Sequence, residues 1–153
     1  PPELIKIVSA AMMTAGRLSL LKKDGAAACG FFKKGVTTTG REMGYIEKII
    51  QLLLDEKLFN ESEEFFKMWP PEEVGKERHA LINFKIAKNV VAPEQVLNLG
   101  KQLIGQGLAD EEVFRTSVKI LVDQGRANNA EDIIFKATQK YPTMKTELYG
   151  MLK

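Results

Sequence analysis

A chain of 153 residues, 44% of them hydrophobic, can bury one sizeable core, so a single domain is the default expectation. Its one cysteine (Cys29) excludes an internal disulfide framework and suits a reducing compartment. One cysteine with one histidine (His79) also excludes zinc-type ligand spacing. The net charge of +2 conceals a gradient. Residues 1–41 hold Lys6, Arg17, Lys22, Lys23, Lys33, Lys34 and Arg41 against Glu3 and Asp24, a balance of +5, whereas residues 42–77 balance at −6. Basic clusters can track phosphates and acidic blocks repel them. No uninterrupted run approaches the ~18 apolar residues that would cross a bilayer, and no cleavable targeting segment is visible.

Apolar residues recur at helical spacing almost throughout, and no segment alternates as a strand would. The opening "ELIKIVSAAMMTAGRL" predicts a helix that runs to a turn at Ala15-Gly16. "LSLLKKDGAAACGFFKKG" fits one helix, or two split at Asp24-Gly25, and "VTTTG" (36–40) is the best candidate for a loop. Tyr45, Ile46, Ile49, Ile50, Leu53 and Leu54 predict a helix over about residues 42–56. Asn60 then fits an N-cap with Glu63 reaching back, and that helix should end near Pro70-Pro71. "EEVGKERHALINFKIAKN" follows as one helix with Ala80, Phe84 and Ala87 on its buried side. Pro93 sits at a first-turn position, Gly105 or Gly107 ends that helix, and Asp110 caps the next. Gly125-Arg126 turns into a further helix stopped by Pro142, and a last helix should pack Met144, Leu148 and Met151.

The pair Phe31-Phe32 before Lys33 returns 34 residues later as Phe65-Phe66 before Lys67. Neighbouring positions repeat at the same shift. One column is small or modest in size (Ala28, Ser62, Val96, Ala130), and three residues later comes a large apolar column (Phe31, Phe65, Leu99, Ile133). A fixed period of this length signals stacked supersecondary units, and a small side chain lets two helices cross closely. The expected fold is all-α, a right-handed α-solenoid of seven to nine helices in antiparallel pairs. Its units would be residues 1–40, 41–75, 76–109 and 110–142, closed by a capping helix over 143–153. The pattern is already running at Pro1-Pro2-Glu3, which suggests a piece of a longer solenoid.

Residues 95–141 resemble a pentatricopeptide repeat flanked by parts of its neighbours. Phe114 matches the motif's aromatic near the start of a first helix, followed by Val118, the tight turn Gly125-Arg126 and the small Ala130, with Gly107 as the glycine leading into the unit. The looser recurrence extends the likeness to about residues 16–141. The tetratricopeptide repeat, also 34 residues long, is the rival. Its second half matches Ala28-x3-Phe32, Ser62-x3-Phe66 and Ala130-x3-Ile134 with Pro142 beyond, but its first-half Gly and Tyr are absent.

The pentatricopeptide resemblance implies binding of single-stranded RNA in mitochondria or plastids, with roles in transcript stability, processing or translation. Each repeat would read about one base. The implied reading positions are Glu47, Leu81 and Arg115 near first-helix starts, and Glu77, Glu111 and Lys145 before the following units. None of these pairs matches the family's small-polar residue with Asp or Asn, so base-specific reading is not expected. What remains is charge: Lys22, Lys23, Lys33 and Lys34, with Arg115 and Lys145 as a second site. A mitochondrial location is implied by the resemblance alone. The alternative is a tetratricopeptide-like docking scaffold that holds a partner helix or tail in an acidic or apolar groove.

No constellation for catalysis stands out. A nucleophile, a base and an orienting group must converge, and Cys29 and His79 are the only residues of their kinds. Gly105-x-Gly107 lacks a third glycine, and Gly100-Lys101 is followed by Gln102 where a phosphate loop needs Ser or Thr. Asn60-Glu61-Ser62 fits a glycosylation sequon, but a capping role explains it better. An enzyme is not expected, nor is a cofactor.

Overall fold

Tight helical turns build the whole chain in the computed structural model, which describes residues 1–153; 81% of them are helical and none is in a strand. In order, the helices are α1 (Pro2–Leu21), α2 (Gly25–Thr38), α3 (Met43–Asp55), α4 (Phe59–Phe66), α5 (Pro71–Val74), α6 (Lys76–Val90), α7 (Pro93–Gly105), α8 (Glu111–Asp123), α9 (Ala127–Lys140) and α10 (Lys145–Met151), with a 3-10 turn at Pro142–Met144. The helices divide into two compact units, Pro1–Gly75 and Lys76–Lys153.

One turn recurs. After α1, Lys23 takes a left-handed φ of 61° and the Asp24 amide donates to the Ser19 carbonyl at 2.9 Å. After α3, Lys57 does the same at 60° and Leu58 donates to Leu53. Gly40, Gly107 and Gly125 repeat the arrangement after α2, α7 and α8. This is the Schellman ending, which uses otherwise orphaned carbonyls and leaves three to five residues before the next helix. α2, α4, α7 and α9 start at Gly25, Phe59, Pro93 and Ala127, each 34 residues after the last.

In the first unit α1 packs on α2 and α3 on α4. The α1–α2 crossing is close because Gly16 has no side chain; a Cβ there would lie 2.2 Å from the Phe32 ring. Gly35 likewise makes room for Tyr45, whose hydroxyl donates to the Ser9 carbonyl at 2.8 Å. Phe32 meets Phe65 edge-on, with ring centroids 6.4 Å apart, and the Trp69 indole donates to the Met43 carbonyl at 3.2 Å.

The second unit pairs α6 with α7 and α8 with α9, and α10 packs against both α8 and α9. Its core is mainly aliphatic around Phe84 and Phe114, and it includes Val96, Leu97, Val118, Leu121, Ile134, Met144 and Leu148. Lys140 at the end of α9 donates to the Gly107 and Ala109 carbonyls, tying that helix to the α7–α8 turn. Ala28, Ser62, Val96 and Ala130, the small column, are all buried, as crossing points require; Phe31 and Leu99 of the large column stay half-exposed.

Four expectations need correction. Gly16 is inside α1 and serves close packing, so there is no turn at Ala15-Gly16. "VTTTG" is mostly helix: Thr37 and Thr38 bond back to the Lys33 and Lys34 carbonyls, and α2 runs to Thr38. Asn60 is no cap, because the turn at Lys57 starts α4 at Phe59 with Leu58 as its N-cap. The helix expected from Glu72 onward is broken by Gly75 at φ 95°, which separates α5 from α6 and brings the count to ten where seven to nine helices were expected. By length and composition alone α1 is long and apolar enough to cross a membrane, with an 18-residue window of mean hydropathy 1.5; Lys6 and Arg17 interrupt its apolar run, as expected from the sequence.

Candidate nucleic-acid interface

The basic residues of the first unit lie around α2. Lys22 and Lys23 sit in the α1–α2 turn, and Lys33 and Lys34 are exposed on the helix itself. The first pair precedes the start of α2, and the second lies about 12 Å along it at 1.5 Å rise per residue. Asp24 accepts the Ala27 amide at 3.0 Å as the N-cap of α2 and keeps one negative charge beside Lys22 and Lys23.

The acidic block answers part of this charge. Lys23 meets Glu56 at 3.5 Å and Lys33 meets Glu64 at 3.3 Å, both pairs being substantially exposed. Exposed pairs of this kind are worth ~1 kcal/mol or less and yield to a competing polyanion. Lys34 lies 5.9 Å over the Phe31 ring, a cation above a half-exposed aromatic face. A groove of about 580 Å³ joins Lys33 to Arg41, with Val36, Thr37, Gly40 and Met68 completing its walls. Arg41 was not among the RNA-contact candidates. Its left-handed φ of 63°, immediately after Gly40, turns the chain so that it lines the same groove as Lys33.

The second candidate site is differently built. Arg115 on α8 is held from α10 by Glu147: Nε donates to one carboxylate oxygen and Nη2 to the other at 3.1 Å, and Glu111 approaches at 3.9 Å. The bidentate pair holds the Glu147 carboxyl below its ordinary range and pushes the guanidinium still higher. Arg115 is thus a structural clasp whose charge is already answered. Lys145 is exposed two residues away on α10.

The remaining implied reading positions are scattered in character. Glu47 is half-buried in α3, Leu81 is partly buried against the core of the second unit, and Glu77 and Glu111 are exposed. None is a small polar residue facing an Asp or Asn. Cys29 belongs to the first unit and His79 to the second. Burial pushes the Cys29 thiol up, and nearby Glu61 and Glu64 add to the effect, which makes it a poor nucleophile. His79 lines an open groove of about 400 Å³ between α6 and α7, with Ala80, Asn83, Leu99, Gln102 and Gln106 among its neighbours.

Compared with family models, curated proteins and solved structures, the chain finds no match.

Proposed function

We propose that this chain is a non-catalytic helical-repeat module of a mitochondrial RNA-binding protein, acting in transcript stability, processing or translation. It would take single-stranded RNA by charge with little regard for base identity. The observation that carries this reading is the basic end of the first unit, where Lys33 and Arg41 line one open groove, Lys34 lies over Phe31 on α2, and Lys22 and Lys23 sit in the turn before that helix. Such a surface suits phosphates and one stacked base. The starts of α2, α4, α7 and α9 at 34-residue intervals support a right-handed solenoid of the pentatricopeptide kind.

Salt-dependent binding to single-stranded RNA tests the reading. With ~3–4 phosphates neutralised, log affinity should fall against log salt with a slope of about −2 to −3, and homopolymers should differ little. Changing Lys22, Lys23, Lys33 and Lys34 to Gln should remove most of the affinity, whereas Arg115→Gln should change little because Glu147 already occupies that guanidinium. A base preference that survives the lysine changes would mean that the reading positions lie elsewhere.

One observation favours the docking alternative. The α6–α7 groove combines the apolar Leu99, Leu103 and Leu108 with amides that can meet a peptide backbone. No RNA binding at low salt would leave that groove as the better site.

A further inference from the structure

α1 is apolar on two opposite faces. The first is the buried stripe of Ser9, Met13, Gly16, Ser19 and Leu20, packed on α2. The second is Leu4, Ile7, Ala11, Thr14, Leu18 and Leu21, spaced 3, 4, 3, 4 and 3 residues apart and exposed along its whole length. Leu4, Ile7, Leu18 and Leu21 are 54%, 66%, 52% and 75% exposed; Ile5, also exposed, lies on the other side of the helix, outside the stripe. Isolated exposed leucines need no explanation, but four large apolar side chains on one face, two at each end with only Ala11 and Thr14 between, do.

The charges beside the stripe identify what fits it. At about 100° per residue, Lys6 and Arg17 both lie roughly 90–110° from the middle of the stripe on one flank, and Lys22 lies about 50° away on the other. All three are exposed, and none makes an ion pair. Glu3, the one acid on α1, lies about 50° from the middle of the stripe in its first turn, with Lys6 one turn on. An apolar stripe with cations along its edges is what an interfacial helix presents to anionic headgroups.

A second copy of this chain is the weaker occupant on two grounds. The exposed large side chains offer on the order of 500 Å² per copy, short of the ~800 Å² per partner of a standard interface. Pairing the stripe with itself would also bring two +5 segments together. A transmembrane passage is weaker still, since α1 would have to leave α2 and carry Ser9 and Ser19 into hydrocarbon.

We propose that the exposed stripe of α1 lies in the plane of an anionic lipid surface, with Leu4, Ile7, Leu18 and Leu21 in the acyl boundary and Lys6, Arg17 and Lys22 at the headgroups. The buried stripe stays on α2. This goes beyond RNA binding and uses different side chains, apart from Lys22.

Flotation of the whole chain with vesicles tests it, comparing phosphatidylglycerol–phosphatidylcholine mixtures with pure phosphatidylcholine. The chain should float with the mixed vesicles and much less with the neutral ones, and added salt should weaken the difference. The variant Ile7→Ser/Leu18→Ser/Leu21→Ser, whose sites are exposed, should keep its far-ultraviolet circular dichroism and its RNA affinity but lose vesicle binding at least tenfold. Lys6→Gln/Arg17→Gln should narrow the preference for anionic vesicles several-fold. Failure of the wild type to float with anionic vesicles would overturn the proposal, as would flotation undiminished by the serine changes. So would self-association that those same changes abolish, because the stripe would then belong to a second copy. Protection of α1 from protease on the far side of the vesicle would replace a surface helix with a spanning one.

Discussion

The two units share one turn and one helix spacing, yet they fill their closest helix contacts differently. In the first, aromatic rings lie over glycines: Phe32 over Gly16 and Tyr45 over Gly35. In the second, the tightest glycine contact is Gly100 of α7 against the hydroxyl of Ser117 on α8, where a Cβ would come 2.3 Å from Oγ but 3.6 Å from the serine Cβ. That hydroxyl is buried without a hydrogen-bond partner. A glycine facing a rigid ring is fixed by shape, whereas one facing a lone hydroxyl can be exchanged if the hydroxyl goes too. The same residue type therefore tolerates change to different degrees in the two units.

The largest effect should come from the aromatic contacts. Gly16→Ala or Gly35→Ala should destabilise the first unit by about 2–3 kcal/mol, because the buried Phe32 ring has no room to retreat and Tyr45 would have to give up its bond to the Ser9 carbonyl. Chemical denaturation would measure it, and an unchanged midpoint would show that the rings have room. Next comes the exchangeable contact. Gly100→Ala alone should cost about 1–2 kcal/mol. Together with Ser117→Ala it should leave the protein about 1 kcal/mol more stable than the parent, since a helix gains an alanine and an unsatisfied hydroxyl is removed. If the pair is no better than the single change, the two units do not differ in the way described.

The shared turn allows a smaller test of opposite sign. Gly125→Ala should destabilise by about 1 kcal/mol, because its φ of 71° suits glycine. Lys57→Gly at the equivalent turn should stabilise by up to ~0.5 kcal/mol by relieving a lysine held at 60°.

Last is the Arg115–Glu147 clasp. Since the pair depresses the Glu147 carboxyl, its stabilisation is fully present above the ordinary carboxylate range and is lost as pH falls through the folded-state value. Glu147→Gln should thus lower the melting temperature slightly at pH 7, within the ~0.2–1 kcal/mol of an exposed pair, and the difference should vanish in acid.

Helix starts set by a cap or a proline were legible: Asp110 caps α8 and Pro93 opens α7 as their chemistry demands. Glycines were read less well, because one letter serves two purposes. Gly125 supplies a left-handed φ and Gly16 a missing side chain, and only the partner helix tells them apart. The polar run at 36–40 misled because threonine hydroxyls can bond the carbonyl four residues back and stay helical. At the candidate interface the lysines were legible as charge but their partners were not. Lys23–Glu56, Lys33–Glu64 and Arg115–Glu147 join residues 31 to 33 apart, about one helix pair, and the 34-residue period could have suggested them.

Trp69 is the only tryptophan of the chain, and it is 1% exposed within the first unit. Its fluorescence is therefore a private reporter of that unit, while far-ultraviolet circular dichroism sums helices from both. Melting followed by the two signals together asks whether the halves let go in one step. Coincident curves would mean one cooperative transition, and an emission change that leads or trails the loss of ellipticity would mean two.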